Sequence, residues 1–159
     1  MTSGVQPFLV GEGWITVRDG DDSFRAVFDR HYSRRHYANG CVSLLCLGPG
    51  QKLPMVTADV SGIFAWRKFK SDDAQTGINC AVFRREGGDI PASELVKQAM
   101  VVAWEKWPSE RLYTYVNPRK VKPTLVRGIP CWGFCFLKAG WHYVGLSKGG
   151  LLIWACEGR

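Results

Sequence analysis

Short apolar runs alternate with one long amphipathic segment along this chain. Residues 93–107 carry the clearest period: Leu95, Val96, Ala99, Met100, Ala103, Trp104 and Trp107 recur at helical spacing on one face. Pro91 suits the helix entry, Ser93 suits a cap on its first turn, and Pro108 stops it. A shorter helix is predicted over 23–32, with Ser23 as cap and Phe24, Val27 and Phe28 on one face. A third, short and apolar, is predicted over 131–139 and ended by Gly140. Strand patterns fall at 14–17, 61–69, 78–83, 111–117, 143–145 and 151–156. In the strand over 111–117, Leu112, Thr114 and Val116 share one face, while Tyr113, Tyr115 and Asn117 share the other. Residues 41–47 form a continuous apolar run closed by the turn Gly48-Pro49-Gly50. Segments 34–40 and 118–130 read as basic loops, and 71–77 as a polar turn.

A strand–helix–strand unit requires a parallel pair, whereas the strand-rich first half favours antiparallel neighbours. The expected fold is therefore α/β: a mixed sheet with helices on its faces, built as one domain over 1–159. The chain has 159 residues, enough for a sizeable core, and no run long enough for a membrane span. Its first ten residues lack the pattern of a secretory signal, so a cytoplasmic location is expected, with no membrane partner.

Charge changes the picture more than composition does. Lys and Arg number 21 against 14 Asp and Glu, a net +7. Such a field attracts polyanions: nucleic acid, phosphorylated cofactors or acidic membranes. Six cysteines occur without a C-x-x-C pair and mostly in apolar company, which reads as buried thiols; Cys131-x-x-x-Cys135 is a weak metal half-site with no second half. Trp104, Trp107, Trp132, Trp141 and Trp154 sit in apolar settings and read as core.

Four clusters could carry chemistry. In the first, Arg30-His31-Tyr32-Ser33-Arg34-Arg35-His36-Tyr37, the histidines can take a proton near neutral pH. Tyr32 or Ser33 could return it to a leaving group, Arg34 and Arg35 could hold phosphates, and Tyr37 could stack on a base. If a metal takes part, His31 and His36 are the first candidates, but no metal site is expected. The second cluster, Trp66-Arg67-Lys68, is either a substrate wall or an ordinary strand end. The third, Arg84-Arg85-Glu86-Gly87-Gly88, runs toward Ser93 at a helix start, where anions bind readily. Glu86 is there either a general base or the partner of a neighbouring arginine. In the fourth, Tyr113, Tyr115 and Asn117 end a strand; Asn117 could hold a carbonyl, read adenine or simply form a turn, while Arg119, Lys120, Lys122 and Arg127 suit phosphates.

The element order over the C-terminal half resembles the GNAT acyltransferase superfamily. The pieces are residues 78–84, 93–107 and 111–117, with Phe136-Leu137-Lys138-Ala139-Gly140-Trp141 following. That resemblance implies a centrally splayed sheet whose gap admits acyl-coenzyme A, with Arg84, Arg85, Gly87, Gly88 and Ser93 around the diphosphate. The loop departs from the family's pattern at Asp89, where a small residue belongs, so either the grip on the diphosphate differs or the donor is another acyl compound. Within the superfamily, His31-Tyr32-Ser33-Arg34 and the basic loops resemble the Mom-like proteins of bacteriophages. This narrower resemblance implies an acetamido-type modification of the exocyclic amine of adenine in phage DNA, in the host cytoplasm if the chain is phage-encoded. His31, Tyr32, Ser33, Glu86 and Asn117 would be catalytic, and Arg34, Arg35, Tyr37, Trp66, Arg67, Lys68, Arg119, Lys120 and Lys122 would meet DNA. The rival expectations are a GNAT transferase acting on a small amine and a nucleic-acid-binding module without catalysis.

Overall fold

The computed structural model describes residues 9–10, 13–31, 45–70 and 75–158. Its elements are, in order, β1 (Leu9–Val10), β2 (Trp14–Thr16), α1 (Asp22–Phe28), β3 (Gln51–Val56), β4 (Gly62–Lys68), β5 (Ile78–Arg85), α2 (Ala92–Lys106), β6 (Leu112–Val116), β7 (Thr124–Val126), β8 (Ile129–Cys131), α3 (Phe134–Lys138), β9 (His142–Leu146) and β10 (Leu152–Cys156). The fold is mixed α/β. One sheet has the order β1-β2-β3-β4-β5-β6-β10-β9, and β7-β8 stand apart as a separate hairpin. Within the large sheet only β5 and β6 pair in parallel, joined through α2. No helix among the described residues is long and apolar enough to cross a membrane.

Period-2 alternation divides the core between the two faces of the sheet. Phe64, Trp66, Ile78, Cys80 and Leu112 pack with α2, whereas Ile63, Ala65 and Val82 pack with Phe24, Val27 and Phe28 of α1. Two indoles seat α2. Trp14 and Trp66 donate their ring N–H to the carbonyls of Leu95 and Ala99, at 2.9 and 2.8 Å. These carbonyls lie one turn apart on the same helix face.

In β5 the alternation changes phase. Ala65 pairs with Val82 and Trp66 with Cys80, which leaves Ala81 as the extra residue of a β-bulge. Ile78 and Cys80 therefore face α2, but Val82 faces α1 and Phe83 packs on the α2 side. Continuing the alternation, Arg84 falls on the α1 face and Arg85 on the other.

Several expectations are corrected. Asp21, not Ser23, caps α1: its carboxylate accepts the N–H groups of Ser23 and Phe24 at 3.1 and 3.4 Å. That helix ends at Phe28, short of residue 32. Ser93 does not cap α2; it lies buried inside the first turn, and Pro91 takes the cap position without a side-chain bond. Strand β3 was not anticipated because it contains Pro54. It is tolerated because the Val17 N–H still donates to the Pro54 carbonyl at 3.0 Å, and β2 ends where the reciprocal bond is impossible. The supposed loop 118–130 contains β7 and the start of β8.

Gly133 opens α3 with φ +97, and a Cβ there would lie 2.6 Å from Nε1 of Trp154, whose ring N–H donates to the Trp132 carbonyl. Gly133→Ala is expected to lower urea stability by roughly 1–3 kcal/mol. Gly87→Ala, which meets open space, should stay within about 0.5 kcal/mol of the parent.

Candidate functional site

The β5–β6 ladder is short. Ile78 pairs with Leu112, Asn79 with Tyr113 and Cys80 with Thr114; residues 81–85 and 115–116 lie beyond it. The Thr114 hydroxyl donates to the Cys80 carbonyl at 3.0 Å at the last rung. Past that rung a slot of about 490 Å³ opens between the strands. Residues 80–85 form one wall, 114–116 the other, and 120–122 with 133–136 close the far side; His31 and Ala92 stand at its border. The slot sits at the carboxyl ends of a parallel pair, where open α/β sheets gather ligands.

Local packing and a neighbouring ion pair help to hold His31 there. Its backbone N–H donates to the Phe28 carbonyl at 2.8 Å. Its ring stacks on that of Phe28, with centroids 6.3 Å apart and planes 12° from parallel. The adjacent Arg30 forks onto both carboxylate oxygens of Glu86, and Arg84 Nε donates to the same carboxylate at 2.7 Å. Glu86 thus ties the end of α1 to the end of β5. Burial first, and the Arg84 cation second, push the His31 imidazole down to about 4, so it is neutral at pH 7.

Other predicted residues are placed differently. Glu86 is corrected from general base to ion-pair anchor: bonds from Arg30 and Arg84 hold its carboxyl down at about 2, which leaves it a weak proton acceptor. Trp66 is corrected from substrate wall to core, with no exposed surface and its N–H donated to α2. Arg67 and Lys68 lie near the opposite end of the sheet. The register pairs Arg67 with Asn79, while Gly62, at the far end of β4, pairs with Arg85 near the slot. Arg67 donates to the Pro49 carbonyl and Lys68 bridges to Glu110. Asn117 forms the turn: its side-chain oxygen accepts the Arg119 N–H at 3.0 Å. Arg119 is exposed on that turn, whereas Lys120 and Lys122 border the slot.

The expected diphosphate grip does not fit. Arg84 and Arg85 both border the slot, but Arg84 is held by Glu86, and Arg85 donates to the carbonyls of Gly88 and Ile90 and so braces the loop. Gly87, Gly88 and Asp89 face a second cleft of about 260 Å³ that also holds Asp59. Hydrogen bonds from Ser61 and Thr57 keep the Asp59 carboxyl below its ordinary range. Two acidic side chains there repel a phosphate, and buried Ser93 borders neither cleft.

Tyr32, Ser33, Arg34, Arg35, His36 and Tyr37 lie outside the described residues, among which no group of three or more His, Cys, Asp or Glu could hold a metal ion. Of the slot residues, sequence reading placed Tyr115 in its fourth cluster but did not single out Phe134 or Cys135 as lining residues. The period placing Tyr115 opposite Thr114 was legible, but the end of the ladder was not. Burial pushes the Cys135 thiol up to about 11 and also raises that of Cys80.

His31 should titrate in the folded protein with an NMR midpoint near 4, and Arg84→Gln should raise it. An unfolded histidine titrates near 6.5, so between those values the unfolded chain binds more protons. Stability is therefore expected to fall as pH drops from about 6.5 to about 4, and His31→Gln should flatten that part of the curve. A folded-state midpoint at or above 6.5 would contradict the burial of the ring.

No protein-family model matches the chain, and comparison with curated proteins and with solved structures finds no match either.

Proposed function

We propose that this chain is a GNAT-like acyltransferase of the Mom-like type, which modifies the exocyclic amine of adenine in DNA. The observation that carries the reading is the slot between diverging parallel strands, with a neutral imidazole and several cations at its border. The strand order β5-β6-β10-β9, with α2 crossing between the parallel pair, supports the superfamily. The bulge at Ala81 supports a reactive carbonyl beside β5, since the edge of that strand faces the slot there.

In this reading an activated acyl group lies in the slot. The amine nitrogen attacks the acyl carbon and forms the new C–N bond. Backbone N–H groups in residues 81–83 stabilise the oxyanion. His31 accepts the proton that the nitrogen loses. The oxyanion then collapses, the bond from carbon to the leaving group breaks, and that group departs with a proton. Glu86 is a positioning residue that keeps Arg30, and with it His31, against β5. An adenine amine is a weak nucleophile, so orientation supplies much of the acceleration. Lys120, Lys122 and Arg84 draw in the DNA backbone. The small-amine transferase reading uses the same slot; the acidic cleft beside Gly87 and Gly88 counts against coenzyme A as its donor.

Mass analysis of nucleosides from cells expressing the chain is expected to show an adenosine of increased mass. His31→Ala should reduce it at least ~100-fold while duplex binding persists. Unmodified nucleosides together with coenzyme A bound to the purified protein would favour the small-amine transferase. Duplex binding with neither would favour a binding module. Separately, Lys120→Gln with Lys122→Gln should lower the slope of log affinity against log salt by about 2.

A further inference from the structure

The β7–β8 hairpin rises from the rim of the slot and joins no other strand among the described residues. Thr124 and Cys131, paired at its base, line the slot. At its far end Leu125 and Ile129 are 67% and 68% exposed, more than any other large apolar side chain among the described residues. Their register puts Leu125 beside Pro130 on one face, and Val126 beside Ile129 on the face shared with Thr124 and Cys131. Arg127 and Gly128 at the tip both have positive φ, 51° and 79°. Two successive left-handed residues make the tight turn whose twist matches the strands it joins. The hairpin is therefore short, twisted and apolar on both faces, with its apolar side chains turned outward.

The charge around it identifies what it meets. From Arg111 to Cys156 the sequence has no Asp or Glu but seven Lys and Arg, including Lys120 and Lys122 at the hairpin's approach and Arg127 at its tip. An apolar tip carrying Arg127, with Lys120 and Lys122 on its approach, complements a polyanion with an apolar interior, and a nucleic-acid duplex is that object. An adenine amine inside a duplex cannot enter a slot between two strands unless the base leaves the stack.

Resting on the DNA reading above, we infer that the β7–β8 hairpin is the wedge that opens the duplex. Leu125 and Ile129 enter the base stack where the target adenine has swung out. Arg127, Lys120 and Lys122 hold the flanking phosphates, and the displaced base lies beside the slot that the same hairpin borders.

The test uses the full chain, without acyl donor, and duplexes in which 2-aminopurine replaces adenine in each of the sixteen flanking-base contexts. The parent protein should raise the fluorescence of at least one duplex several-fold. Leu125→Ser with Ile129→Ser should remove most of that rise and change duplex affinity less than threefold; both side chains are exposed, so the fold should survive, as a thermal melt would check. Arg127→Gln should keep the rise and lower the salt slope by about one. A double variant with the full fluorescence rise overturns the wedge and leaves the DNA reading standing. So does a double variant that keeps the rise but turns a sedimenting dimer into a monomer, since the tip would then be covered by a second copy. A parent protein that binds no duplex overturns both.

Discussion

A parallel pair of strands stays closed only while both edges offer hydrogen-bonding groups in step. In this chain that match lasts for three registered pairs, Ile78–Leu112, Asn79–Tyr113 and Cys80–Thr114. Immediately afterwards β5 takes up its extra residue at Ala81. A bulge bends its strand and increases its twist, which places the departure from β6 where the ladder stops. β6 is meanwhile held on its other side by five pairs with β10. The two halves of the sheet are thus anchored independently, and the opening between them belongs to the framework. The indoles of Trp14 and Trp66, fastened to α2, brace the first half. Trp154, fastened to the Trp132 carbonyl, braces the second.

The same bulge sets the electrostatics. Shifting the alternation by one residue turns Arg84 toward α1, where it shares Glu86 with Arg30 and its cation helps keep the imidazole of His31 uncharged. Without that shift Arg84 would point toward α2. Burial is the larger cause of the His31 shift; the backbone geometry at the slot's border and the smaller Arg84 contribution follow from one inserted residue.

Much of the fold was legible and rather less of the site. The long helix, β4, β5, β6 and β10 announce themselves because burial on one or both faces imposes a period on their residues. β3 was hidden by Pro54, which propensity removes from strands although the end of β2 makes room for it. The hairpin was hidden between Pro123 and Pro130 in a basic stretch that reads as loop. At the site, alternation put Trp66 and Lys68 on one face but could not say that α2 covers it. The fork from Arg30 to Glu86 spans 56 residues, a separation at which no local pattern carries information. Asn117 and Glu86 took the plainest of the roles open to each, turn former and ion-pair partner. The parallel pairing of β5 and β6 is where sequence and structure agree most closely, because a helical crossover between two strands constrains their direction.

Cys80 and Cys135 border the slot, and both keep their protons well above neutral pH. The thiolate is the form of cysteine that attacks. Sulfur held as a neutral thiol is a poor competitor for an electrophilic carbon drawn in beside it. On the acyl-transfer proposal, these two thiols would compete poorly with the incoming nitrogen for an electrophilic carbon in the slot.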